Sequence, residues 1–170
     1  DTDELLISDA GTLKRVDFSH LKVANTPAFK VYLGSNMTSV TRNTQTKITF
    51  DTEVYDTNSA FASNKFTVPS GEGGKYHFSA MSTMKNSSDY QAISIHLFKN
   101  GSELLRGTKL YLTDYYIGSA AYSTMVVNGD LNLSATDYVE VYIELNAAGG
   151  SGTILSGEKY TSFSGYKIIE

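Results

Sequence analysis

Cysteine is absent from the 170 residues, which excludes disulfides, thiolate metal sites and thiol nucleophiles and leaves the redox compartment open. Proline is scarce, with two residues, so little interrupts extended backbone. No apolar run in the chain approaches the roughly 20 residues of a membrane-crossing helix, and no secretory leader is expected. Basic clusters are missing and the net charge is −4, a balance that argues against nucleic acid or an anionic membrane as partner. The residues that remain are apolar for 41 % of the chain, enough for one globular domain with a sizeable core. Twelve tyrosines, with plentiful serine and threonine, favour strands over helices. The chain opens at Asp1 rather than methionine, and reads as a processed product or a piece of a longer polypeptide.

Two regions are expected. Residues 1–27 hold an acidic then apolar piece, Asp3 to Asp9, a turn signal at Ala10-Gly11 and imperfect alternation at Leu13, Val16 and Phe18. Too few apolar residues are present to fold alone, so the segment reads as a connector that packs on a neighbouring module or on symmetry mates. Residues 28–170 form the domain. Its first strand runs past Pro27 with Phe29, Val31 and Leu33 on one face. Strand-sized pieces recur at 46–50, 65–68, 75–84, 92–99, 104–112, 120–127, 138–145 and 161–169, punctuated by glycine- and asparagine-rich turns. Asn100-Gly101 predicts a two-residue type I′ hairpin, whereas Asn128-Gly129 fits a turn or a bulge within a strand continuing through Leu131 and Leu133.

The strand ending at Pro69 and the aromatic alternation of the next one set the architecture. Period two places Tyr76 and Phe78 on one face and His77 and Ser79 on the other. Gly165, between Phe163 and Tyr166, marks a place where another backbone comes close. Eight or more short strands without an amphipathic helix or fixed-period repeat predict an all-β, two-sheet jelly-roll sandwich.

The ordered set Ala28-Phe29, Ile48 to Thr52, Asp56, Phe61, Phe66 to Pro69, Gly74 to Phe78, Leu131 to Leu133, Asp137 to Val141 and Phe163 to Tyr166 resembles the globular-head domain of complement and its relatives in the tumour necrosis factor superfamily. Two departures stand out: a longer turn between Pro69 and Gly74, and Thr136 where that family often has glycine. The resemblance implies a homotrimer with side chains between the core aromatics of the third long strand facing the threefold axis. That nominates His77, Ser79 and Met81, joined by Val126 and by Phe163, although Met81 and Phe163 also read as ordinary core residues. A calcium ion near the trimer apex is a further implication; Asp89, Asp114 and Asp130 supply candidate oxygens, but no acidic loop motif fixes them. Residues 3–17 resemble a segment of structural proteins of tailed bacteriophages, which implies a virion as location and other virion proteins as partners through residues 1–27.

No enzyme is expected. His20, His77 and His96 have no carboxylate at metal spacing and read as solvated or interface histidines. A nucleophile elbow is missing, and Gly149 to Gly152 reads as a flexible loop. Carboxylate pairs such as Asp51 with Glu53, or Asp114 with Asp130, have no separation fixed by sequence. Tyr111, Tyr115, Tyr116 and Tyr122, in or beside the stretch linking two strands, suit stacking on sugar rings or packing within the sandwich or between subunits. The leading expectation is therefore a trimeric bacteriophage fibre or capsid-surface domain, without cofactor, that binds a host-surface glycan or protein. Two alternatives are a purely structural decoration or capping trimer, and a secreted complement-head-type binding domain of a cell.

Overall fold

The computed structural model describes residues 4–17, 25–86, 90–111 and 122–168. Fifteen strands occur among them, and no helix: β1 (Glu4–Asp9), β2 (Thr12–Asp17), β3 (Ala28–Tyr32), β4 (Met37–Val40), β5 (Gln45–Lys47), β6 (Thr52–Asp56), β7 (Phe61–Ala62), β8 (Lys65–Thr67), β9 (Gly74–Asn86), β10 (Tyr90–Lys99), β11 (Ser102–Tyr111), β12 (Tyr122–Leu133), β13 (Tyr138–Ala147), β14 (Gly152–Ile154) and β15 (Ser162–Lys167). The first two form a separate two-stranded hairpin. The rest make two antiparallel sheets, as the sequence predicts.

The seven-stranded sheet is built on β9. One edge of this long strand pairs with β12 along its full length. Its other edge is shared, with β15 beside Tyr76 to Met81 and β14 beside Met84 to Asn86. Beyond these lie β3 and then β6 on one path, and β4 on the other. The six-stranded sheet runs β11–β10–β13, with β8, β7 and β5 on the far side of β13.

Alternation drives the packing. Along β12 the even positions point out while Met125, Val127, Leu131 and Leu133 point in. From β9, Tyr76, Phe78, Ala80 and Met84 enter the core. There Phe29 stacks on Phe66 with centroids 4.9 Å apart and meets Phe163 edge-on at 4.9 Å. Phe78 lies 5.5 Å from Phe66 and 5.9 Å from Phe163. Such aromatic pairs add to the gain from burying their area. The Tyr76 hydroxyl donates to the Glu72 carbonyl at 2.5 Å, and burial, with the Glu72 charge second, pushes the phenol up to about 12.

Several expectations are refined. Lys99 and Ser102 pair across Asn100-Gly101, both with positive φ (51° and 78°), as a two-residue type I′ turn requires. Asn128-Gly129 is neither turn nor bulge, because the β9–β12 register runs through it unbroken. Gly152 is not in a loop but opens β14. His96 is fully buried, contrary to the expectation of a solvated or interface histidine.

The turn before β13 carries two predictions. Thr136 sits at φ +74°, a left-handed conformation costly for a β-branched residue. Thr136→Gly is expected to raise stability by about 1 kcal/mol, strain relief exceeding the added freedom of the unfolded chain; urea titration reads it, and a lower midpoint would refute the strain. Asp137 is held at about 2, below its ordinary 3.8, first by Lys99 and then by the Asn100 side chain and the Ser134 amide. A carboxyl depressed on folding stabilises above its unfolded value, and that contribution is lost as pH falls from about 4 through about 2. Wild type should therefore lose more stability over that window than Asp137→Asn, measured by denaturant melts at stepped pH.

Candidate functional site

Period two turns one set of β9 side chains out of the sandwich: Lys75, His77, Ser79, Met81, Thr83 and Lys85. The register sets Asp130 beside His77, Asn128 beside Ser79, Val126 beside Met81 and Thr124 beside Thr83. From β15, Tyr166, Ser164 and Ser162 lie beside His77, Ser79 and Met81. The result is a largely polar face around one apolar pair, Met81 and Val126, the latter 37 % exposed. Asp130 Oδ1 lies 2.7 Å from His77 Nδ1, and the Tyr166 ring is centred 5.4 Å from the imidazole.

Four of the five residues nominated for subunit contact, His77, Ser79, Met81 and Val126, thus share this outer face. Phe163 does not. It pairs with Ala80, an inward position, and is 1 % exposed within the ring cluster. The outward residue is Tyr166, 41 % exposed, which the period-two count from Phe163 would have found. Gly165 is also reassigned, since its close neighbours are the rings of Phe78 and Phe29 rather than backbone.

At the upper end of the same face is a groove of about 950 Å³. β9 is its floor through Met81, Thr83 and Lys85; Tyr122 and Thr124 of β12 stand on one side. On the other side are Thr153 of β14 and the following turn, with Leu155, Lys159 and Tyr160. Tyr122 is 59 % exposed and Tyr160 37 %. Sequence reasoning nominated Tyr122 but missed Tyr160 and Lys159. Tyr111, at the end of β11, is exposed outside the groove with the Lys109 ammonium 4.9 Å from its ring centre. Tyr115 and Tyr116 lie outside the described residues.

The opposite sheet bears a different cluster. Ser94 Oγ is 2.9 Å from His96 Nε2, Glu103 Oε1 is 3.1 Å from Nδ1, and Glu144 Oε2 is 3.6 Å from Nε2. Burial pushes the Glu103 carboxyl up, but contact with His96, the Gln45 amide and Arg106 outweigh it and leave it lowered. Serine, histidine and carboxylate in this order resemble an acyl-transfer relay. Ser94 is 1 % exposed and His96 0 %, so the hydroxyl is sealed from solvent.

Asp51 accepts hydrogen bonds from the Gly34 amide and the Thr52 hydroxyl, and with Glu53 it borders a depression of about 340 Å³. Asp89, Asp114 and His20 fall outside the described residues, which leaves Asp130 as the described candidate for calcium. Among the described residues no group of three His, Cys, Asp or Glu side chains is placed to hold a metal ion.

Two sheets with this strand pairing define a jelly roll of the complement globular-head and tumour necrosis factor type. The globular domain of zebrafish complement 1qA protein superposes with a TM-score of 0.56 at 17 % identity, covering 85 % of this chain and 99 % of that one. Eiger TNF from S. frugiperda gives 0.59 at 14 % identity, covering 84 % and 92 %. Murine APRIL at pH 5.0 gives 0.57 at 14 %, covering 83 % and 98 %. At these identities the likeness shows the fold. No family model matches the chain, and no curated protein matches it either.

Proposed function

We propose that this chain is the non-enzymatic, trimeric jelly-roll head of a virion fibre or capsid-surface protein of a tailed bacteriophage. It attaches to other virion proteins through residues 1–27 and binds a host-surface glycan or protein. The observation that carries the trimer is the outer face of the seven-stranded sheet: Val126 and Met81 side by side, framed by the small polar side chains of Ser79, Thr83, Thr124, Asn128 and Ser162. Closed threefold symmetry covers such a patch and stops it from recruiting copies without end. Each square ångström of apolar area covered contributes on the order of 25 cal/mol.

Attachment is supported by β1 and β2, which among the described residues pair with each other and with no strand of the two large sheets. A lone two-stranded hairpin is marginally stable in water and gains from docking on another protein. Three identical heads multiply weak contacts to a host surface.

The test has two arms. Light scattering on the purified chain should give three times the chain mass, and labelled trimer should adsorb to susceptible bacteria. Removing residues 1–27 should leave the threefold stoichiometry and adsorption intact but abolish incorporation into particles. A trimer that adsorbs to no host, yet whose loss destabilises particles, would favour the purely structural alternative.

A further inference from the structure

The groove at the upper end of the outer face sharpens the host-binding reading, on which this inference rests. We propose that its part above Met81, the residue shared with the proposed contact between copies, binds an acidic saccharide, a short glycan carrying carboxylate or sulfate groups on its rings. Its volume of about 950 Å³ lies in the range that encloses small ligands. Tyr122 and Tyr160 rise from opposite sides of β9, each with substantial ring surface in water. A flat ring with a hydroxyl at its rim suits the apolar face of a pyranose and the hydroxyls around it.

The floor argues against an apolar peptide. Thr83 and Thr124 lie there, their hydroxyls 2.9 Å apart, where a helix- or strand-binding groove would present continuous aliphatic surface. Charge completes the match. The groove is lined by Lys85 and Lys159 and by no carboxylate. Elsewhere Lys30, Lys47, Lys99 and Lys167 are paired with Glu158, Glu140, Asp137 and Glu72. Among the described residues Lys85 and Lys159, like Lys65 and Lys109 outside the groove, have no such partner; Lys159 rests 4.9 Å from the Tyr160 ring centre. In a chain of net charge −4, two uncompensated ammonium groups beside two exposed tyrosines form a local site for an anion with a ring body.

The inference is tested on the whole chain with tri-galacturonate and neutral galactotriose, by titration calorimetry at low salt. The acidic trisaccharide should bind about five- to tenfold more tightly than the neutral one, an advantage that fades as salt screens the exposed ammonium groups. Lys85→Met with Lys159→Met should remove that advantage, and Tyr122→Ala should weaken both sugars about fivefold or more. Leu104→Ser, an exposed change on the other sheet, should alter neither, with circular dichroism confirming that every variant folds. Equal binding of the two sugars, no binding of either, or binding indifferent to Lys85 and Lys159 would overturn the proposal. So would a double lysine variant whose defect is a changed oligomeric mass, because the groove would then belong to the contact between copies. Wild-type trimer that adsorbs to hosts without binding the acidic sugar would sink the groove alone. Sugar binding without adsorption to any host would sink the host-attachment reading instead.

Discussion

Gly165→Val is expected to cost at least about 3 kcal/mol, from overpacking in a filled core. A Cβ at this position would lie 2.6 Å from Phe78 Cδ1 and 2.9 Å from Phe29 Cε1. Both rings are 0 % exposed and packed against Phe66 and Phe163, so neither can swing aside without moving the cluster. β15 cannot retreat either, because it is hydrogen-bonded to β9 on one edge and β3 on the other. Against a total stability of about 5–15 kcal/mol for a domain, a loss of this size is severe. Urea unfolding measures it, and Gly165→Ala should show a smaller share of the same defect. Pairing Gly165→Ala with Phe78→Leu should cost less than the two single changes added together, since the smaller side chain frees the space the methyl needs. Strict additivity, or an alanine variant as stable as wild type, would show that the ring cluster yields freely.

Val126→Glu is expected to convert the proposed trimer to a folded monomer. In the single chain Val126 is 37 % exposed, and its backbone amide and carbonyl are held by the Thr108 hydroxyl rather than through its side chain. Substitution at such a position changes monomer stability by no more than about 0.5 kcal/mol. Around a threefold axis the same carboxylate would be buried three times over without partners, at several kcal/mol per ion. Light scattering should therefore fall to one chain mass while the circular dichroism spectrum stays unchanged. A variant that remains trimeric would place the contact between copies on another surface.

The long strands were legible because they obey period two over many residues. In β9 and β12 alternation gives both the strand and the faces, so His77, Ser79, Met81 and Val126 fall together as expected. Four of the short strands were not legible. β4, β6, β7 and β14 hold two to five residues each, too few to show a period, and exist because neighbouring backbone offers hydrogen bonds. Phe163 and Tyr166 stand three apart, which puts aromatics on both faces of β15, and only pairing with Ala80 reveals the inward one. Asn128-Gly129 fits a turn or a bulge by sequence, but Gly129 makes room for packing: a Cβ there would meet Leu105 Cδ1 at 2.2 Å. His96 is buried on the outer side of β10, a strand covered on both faces, where Tyr142 lies against Phe98 with centroids 4.1 Å apart. The groove escaped notice because its walls come from β12, β14 and residues 155–160, which only the folded chain brings together.

The link between Thr108 and Val126 has a consequence for growth by strand addition. The Thr108 hydroxyl accepts from the Val126 amide and donates to its carbonyl, so β11 of one sheet is fastened to β12 of the other and that flank is stitched shut. An intruding strand from another chain would have to undo this seam before finding free amides there. The opposite flank, at β6, keeps the outermost position beyond β3. β4 holds the corresponding outermost position beyond β14. A partner that lengthens this sheet therefore comes in beside β6 or β4, away from the stitched seam.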